Sequence, residues 1–436
     1  MAGGTWTTQN KVRPGVYMNF ASEGSLPGTV GERGTVALAL PLSWGQAGTI
    51  LTVQAGEDVQ AKLGYDWPQL LLIREALKRA QTLLLYRLNA GTTAKATLDK
   101  LTVTAQHGGV RGNDLAVVIS ANINDPDQLD VSTLLAGKEV DKQTASTIEE
   151  LEANAYVTFT GAGALTTTAA LPLTGGQDGT ATNQEHADFL TKLEVLDFNT
   201  VGLISDDATL KSVYTAYIKR LRDTEGKKVQ LVLADYPAAD HEGVISVKNG
   251  VVLADGTVLT PKQTVAWTAG ATAGANLNES LTFRAYDDAV DVNGRLTHSE
   301  TEAALRNGEF VFTASSNRAV VEQDVNTFRS VTPDKARHFA KNRVVRVLDG
   351  IANDMKRIFE SYFIGKVNNN EDGRSLFRSQ CVTYLKQLQD IGAIQNFDSK
   401  TDITVTPGNE TDSILIEIQV QPVDSVEKVY MKVKVV

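Results

Sequence analysis

The sequence has almost no cysteine. A single thiol, Cys381, stands among 436 residues, which excludes an internal disulfide framework and any cysteine-built zinc cage. Its place on an amphipathic helical pattern reads as a small packed hydrophobe. No run of 18 apolar residues occurs, so no membrane-spanning helix is expected. The opening stretch MAGGTWTTQNKVRPG lacks a basic region followed by an apolar one, so no secretory signal is expected either. Basic charge is in short supply: 42 Lys and Arg face 52 Asp and Glu, a net charge of −10. That balance argues against a nonspecific nucleic-acid binder. The five histidines, His107, His186, His241, His298 and His338, are scattered, and neither H-E-x-x-H nor paired C-x-x-C occurs. No metal site is expected. The nucleotide loops G-x-x-x-x-G-K-[ST] and G-x-G-x-x-G are missing, as is the G-x-S-x-G elbow. No catalytic constellation and no cofactor emerge.

What is present is ordinary for a globular chain of about three domains: 42% hydrophobic residues and 35 Gly. Residues 35–41 read as a buried strand. A helix follows, with Asp66 as cap, Pro68 in its first turn and Leu70 to Arg79 periodic. Residues 82–91 form the next buried strand. Composition then shifts: 95–174 is rich in Thr, Val, Ala and Gly, with strand-like runs at 98–106, 115–123 and 155–161. Only 144–155 looks helical there, with Thr147 and Glu150 spaced as a capping box. The α/β pattern resumes with a helix at 183–194, a strand at 200–204, a helix at 207–223 and a strand at 229–235. Such β-α-β steps predict a partly parallel sheet. Asn249-Gly250 and Asp255-Gly256 are hairpin signals. A small-residue buried helix covers 260–277, and two strands turn at Ser316-Asn317. One long helix is expected over 333–363, stopped by Gly365, and a second over 373–391.

The predicted architecture is a multidomain α+β and α/β chain. Residues 35–94 plus 175–300 form an α/β core domain, 95–174 an inserted mostly-β domain, and 301–421 a C-terminal α+β domain. Extended β-strand arms occupy 1–34 and 422–436. In the first arm, Val16, Met18 and Phe20 alternate with polar residues behind Pro14. Near the C-terminus Ile414, Ile416, Ile418 and Val420 alternate, Pro422 breaks the run, and Val429, Met431, Val433 and Val435 alternate again. A strand with one apolar face needs a sheet to join, in its own chain or in a neighbour's.

Several motifs admit a chemical and a structural reading. The Gly-rich TGGQDGT (174–180) suits an anion nest or a linker re-entering the core, and the linker is favoured. Arg111 in HGGVRGND suits a phosphate or a loop tie, and the tie is favoured. Asp206-Asp207, Asp287-Asp288 and Glu371-Asp372 read as caps and solvated surface rather than acid–base pairs. Lys341, Arg343 and Arg346 form a basic stripe, with Lys356 and Arg357 further along. It suits a salt-bridged helix surface or an electrostatic docking face.

Several segments taken together resemble contractile phage tail sheath proteins. HGGVRGNDLAVVI resembles the start of their inserted domain, and LTGGQDGT their returning loop. TVAWTAGATAGANLNESLTFRAY is similar to their Ala/Gly-rich helix, and VEQDVNTF to their E-x-D-I-N-T strand, with Val325 in place of Ile. KNRVVRVLDGIANDMKRIFESYFIGKVNNNEDGRSLF resembles the C-terminal domain of sheaths from Gram-positive phages, defective prophages and phage-tail-like bacteriocins. The matches run in order from about 105 to 391.

The resemblance implies a non-enzymatic subunit of a virion tail or phage-tail-like particle, assembled in bacterial cytoplasm. It implies self-association as stacked six-membered rings around a tail tube protein, with baseplate and tail terminator proteins as further partners. Neither nucleic acid nor membrane insertion is implied. Neighbours would be linked by donor strands carrying Val16, Met18, Phe20, Val429, Met431, Val433 and Val435. The acceptor sheet would include Ile414, Ile416, Ile418 and Val420. Lys341, Arg343, Arg346, Lys356, Arg357, Arg374 and Arg378 are the tube-facing candidates. A sheath of a non-phage contractile injection system is the alternative. An enzyme with Rossmann-like β-α-β steps, using Asp206, Asp207 and Asp235 at strand ends, is the outside reading.

Overall fold

The computed structural model describes residues 2–4, 15–17 and 29–435. The chain divides into two compact units. One is Glu32–Gly350 with Val423–Val436, and the other Met1–Gly31 with Ile351–Pro422.

The first unit is built on a seven-stranded sheet. Its order is Glu309–Phe310, Val244–Val247, Gln230–Ala234, Thr200–Gly202, Thr35–Leu40, Thr82–Arg87 and Ile50–Gln54. All neighbours are parallel except the edge strand Ile50–Gln54. Strand alternation divides the core in two. Val36, Leu38 and Leu40 pack with Ile73, Val265 and Trp267, from the helices Leu71–Leu77 and Pro261–Gly274. Ala37 and Ala39 pack on the other face with Phe189 and Tyr214, from Asn183–Glu194 and Ala208–Asp223. The helix Pro261–Gly274 is buried from Thr264 to Ala273. Its small residues allow this: a Cβ on Gly270 would lie 2.0 Å from the Ala76 carbonyl oxygen. Thr260 and Gln263 close its N-terminus as a capping box.

Residues 95–172 leave this sheet as a β-sandwich. Four strands, ordered Lys138–Ala145, Leu129–Leu135, Leu115–Ala121 and Thr168–Pro172, face three, ordered Val157–Thr160, Leu101–Ala105 and Lys95–Leu98. Leu101, Val103, Val117, Ile119, Val131 and Val157 fill the space between them. The helix expected at 144–155 is reduced to a single turn, Ile148–Glu150. The Thr147/Glu150 capping box forms. However, the Asn154 side chain accepts the backbone N–H groups of Tyr156 and Val157, both at 2.9 Å, and turns the chain into a strand.

Two other expectations are corrected. Asp255-Gly256 does close a hairpin, between Gly250–Leu253 and Val258–Leu259, but Asn249-Gly250 does not turn one. Asn249 is buried. Its amide bonds the Phe312 N–H and the Phe312 and Gly294 carbonyls, carrying the chain from the main sheet to the small sheet with Ala289–Asn293. The long helix is Asn342–Tyr362, not 333–363. The Ala340 carbonyl receives the Asn326 N–H and Lys341 bridges Val325, so the chain is held extended just ahead of the helix. The Ser316-Asn317 turn joins Phe312–Ser315 to Arg318–Val321, with φ of 50° and 58° at the two turn residues.

The second unit holds the helical residues from Ile351 onward, the helix Glu371–Asp390, and two short antiparallel pairs. Ile394–Gln395 pairs with Gln421–Pro422, and Ile403–Pro407 with Ile414–Ile418. Ile358, Phe363, Phe377, Cys381, Tyr384, Leu385 and Leu388 form its buried centre. Burial pushes the Cys381 thiol up to about 12, which suits packing rather than reactivity. Backbone strands Ala2–Gly4 and Gly15–Tyr17 pair in parallel.

Candidate functional site

The polar groups that could carry chemistry are used for structure. Arg111 donates to the Gly64 carbonyl at 2.6 Å and to Asp114 at 2.9 Å, and lies over the Tyr65 ring. The 174–180 loop is likewise consumed: Asn113 bonds Gly176, while Asp178 accepts from Ser43 Oγ and the Val110 N–H. Asp207 caps the helix Ala208–Asp223, and Asp206 pairs with Lys262. Asp287 holds Arg79 in a two-pronged bond and accepts from Trp267. Asp288 pairs with Lys78, and Glu371 and Asp372 sit exposed in a helix's first turn. Asp235 is exposed, and its carboxyl is raised, chiefly by desolvation.

One cluster has ligand-like composition. Asp223, His241 and Glu242 bring single ligand atoms within 4.8 Å of one another. The hydrogen bonds argue against a metal. His241 Nδ1 accepts the Gly243 N–H at 3.0 Å, so the neutral ring carries its proton on Nε2. That nitrogen faces Asp223 at 3.4 Å and Glu242 at 3.7 Å, and has no lone pair to offer. Glu242 also accepts from Lys335 at 2.8 Å. Burial pushes the His241 imidazole below its usual range, outweighing the neighbouring Glu242.

The basic candidates separate once their partners are known. Arg346 is fully buried. It pairs with Asp324 at 3.4 Å and donates to the Glu279 carbonyl at 2.6 Å, so it cannot face a tube. Lys341 is paired with Glu427. Arg343 is half-buried, and desolvation lowers its pKa. Arg357 donates to the Thr29 carbonyl at 2.6 Å. Arg374 bonds Asn369, and Arg378 donates to the Ile403 and Ser399 carbonyls. Lys356 is exposed, with only a loose pairing to Glu360 at 3.9 Å. Periodicity showed the stripe but not these partners, which lie up to 328 residues away.

The apolar candidates have the opposite fate. Ile414, Ile416 and Ile418 lie on one face of their strand and are half-buried, as is Val420 just beyond it. Among the described residues this strand pairs only with Ile403–Pro407. An apolar cleft of about 380 Å³ opens beside Ile414, lined by Phe359, Phe363, Val367 and Phe377. Val429, Met431, Val433 and Val435 are 75%, 80%, 75% and 96% exposed, in a stretch with no strand pairing. Val16 lies in the backbone strand Gly15–Tyr17, while Met18 and Phe20 fall outside the described residues. The acid just ahead of the last apolar run, Glu427, carried no weight in the sequence reading. An acid standing in phase just before an alternating apolar run was the available signal.

Comparison with known proteins gives this arrangement its context. Residues 33–88 match the tail sheath protein Gp18 domain III N-terminal region, and 89–178 the phage tail sheath protein beta-sandwich domain. Residues 179–327 match the phage tail sheath protein central domain, and 334–436 the phage tail sheath C-terminal domain. The chain is 42% identical to the phage-like element PBSX protein XkdK of Bacillus subtilis, over 100% of both chains. A sheath tail protein structure from Desulfitobacterium hafniense shares 58% identity, covering 96% of this chain and 99% of that one, with a TM-score of 0.86. One from Listeria innocua shares 41% identity, covering 92% and 94%, with a TM-score of 0.81. The fold extends to the contracted helical sheath of the anti-feeding prophage, at 14% identity, 98% and 99% coverage and a TM-score of 0.56. A polar surface spent on internal ties, a β-sandwich set into an α/β core, and these full-length likenesses lead to one conclusion: the chain belongs to the phage tail sheath protein family, as a structural, non-enzymatic subunit of a contractile tail-like particle.

Proposed function

We propose that the subunit polymerises as stacked six-membered rings around an inner tail tube, and that contraction of this polymer drives the tube through a cell envelope. One observation carries the reading. An alternating apolar segment, 429–435, lies exposed in the same chain as a half-covered strand, Ile414–Ile418, that has one neighbour among the described residues. The two deficits match: the exposed segment supplies a strand, and the hairpin of a second subunit lacks one. Backbone hydrogen bonds would supply the link, and Val429, Met431, Val433 and Val435 would cover the isoleucine face. Proteins of the same fold include a helical sheath in a contracted state and a component of a baseplate structure, which supports self-association and a baseplate partner here. The sandwich at 95–172 would point outward, and Lys356 is the best-placed basic residue for an acidic tube surface. No nucleotide is needed, because a small free-energy difference per interface is multiplied over many subunits.

The test is electron microscopy of the purified chain beside one ending at Lys428. Striated hollow cylinders are expected from the full chain, and monodisperse particles of unchanged melting temperature from the shortened one. Equal polymerisation of both would overturn the strand link.

A further inference from the structure

Val423 to Val436 follow Pro422, the last residue of one compact unit, yet group with the other. The segment has no regular secondary structure, and every described residue from Lys428 to Val435 is exposed. Glu427, just ahead of them, has a side chain only 11% exposed. Its carboxylate accepts from Thr282 Oγ1 at 2.8 Å and Gln323 Nε2 at 2.5 Å, and is ion-paired with Lys341. Ser425 Oγ lies 3.4 Å away. The three main partners come from separate stretches: the loop after the helix Pro261–Gly274, the residues after Arg318–Val321, and the residue before Asn342–Tyr362.

Two of these partners are themselves fixed. Thr282 Oγ1 accepts the Asp324 N–H at 2.9 Å and the Ser280 hydroxyl at 3.1 Å, and Lys341 is bridged to Val325. A cradle built from three elements around one carboxylate is more specific than a surface ion pair, and its charged hydrogen bonds are the stronger kind. Asp424, 3.9 Å from Lys341, adds a second negative group.

We propose that Glu427 is a latch: its carboxylate fastens the root of the C-terminal segment to the unit Glu32–Gly350 of its own subunit, leaving residues 428–435 as a free tether. That tether spans at most about 30 Å when extended. A pull on it is delivered to Thr282, Gln323 and Lys341, and not to the short strand Gln421–Pro422. The use of the tether rests on the donor-strand reading above; the latch itself does not.

Glutamyl endopeptidase provides the test, because cleavage after Glu427 requires its carboxylate to leave the cradle. In unassembled full-length protein, cutting at Glu427 is expected to lag behind cutting at Glu410, which is exposed in the 408–413 turn. Lys341→Gln should speed cutting at Glu427 at least about tenfold, with cutting at Glu410 unchanged. Thr282→Val is the second variant, with an unchanged melting temperature as the control for folding, and should act in the same direction. Equal rates at Glu427 in wild type and both variants would overturn the latch. The chain ending at Lys428 keeps the cradle. Its polymerisation would sink the donor-strand reading while a slow Glu427 cut left the latch standing.

Discussion

The strands Thr35–Leu40 and Ile414–Ile418 are both short and apolar, yet their surroundings differ. The first has a parallel neighbour on each side and helices over both faces, and Val36 to Leu40 are all buried. The second has one neighbour among the described residues, and its apolar residues are half-buried at best. The segment 429–435 goes further, with the same alternation and no neighbour among the described residues. One β pattern thus serves two ends. Where the chain supplies every partner, it makes a core. Where no partner stands beside it among the described residues, it leaves an edge open to a further strand.

The contrast can be broken by mutation. The largest loss should follow removal of the charge that fixes Arg222. Asp349 holds that buried guanidinium through bonds of 2.7 and 2.8 Å, so Asp349→Ala should lower unfolding stability by about 3–5 kcal/mol in urea titrations. A loss under about 1 kcal/mol would mean the pair is not structural. Next come paired truncations: Leu38→Ala should cost about 3 kcal/mol, and Ile416→Ala in unassembled protein about 1 kcal/mol. Equal costs would show that the hairpin is already covered within one chain.

Acid gives the smallest effect. Burial depresses the pKa of His241, and also that of His186, whose ring bonds the Tyr214 hydroxyl at 2.8 Å. A histidine pKa lowered in the folded state contributes stability that is complete above the unfolded value. That stability is lost as pH falls through the folded one. The melting temperature should therefore decline below about pH 6.5. His241→Gln, which keeps an N–H toward Asp223, should flatten that decline. An unaltered slope would remove His241 from the account.

Much of the central unit was legible because its signals are local. The helix Asn183–Glu194 lies where periodicity put it, and the Thr260/Gln263 box and the Ser316-Asn317 turn use residues within a few positions of each other. Local signals failed where a competing side-chain contact intervened: Asn154 unmade a helix by accepting the Tyr156 and Val157 N–H groups, and Asn249 turned from hairpin to bridge by reaching Phe312. The candidate site was half legible. Alternation marked the terminal segments, but the basic stripe concealed one buried arginine and one lysine paired with Glu427.

The sequence by itself determined the periods, the caps, the alternating terminal segments and the resemblance that placed the chain in its family. Each depends on neighbours along the chain or on residue order. Only the tertiary structure decided which charges are spent and which apolar faces stay open. Burial and pairing depend on partners such as Asp324 for Arg346 and Thr282 for Glu427, the latter 145 residues apart. No local pattern encodes a contact at that separation, and the cost of an unpaired buried charge settles it only once the fold has closed.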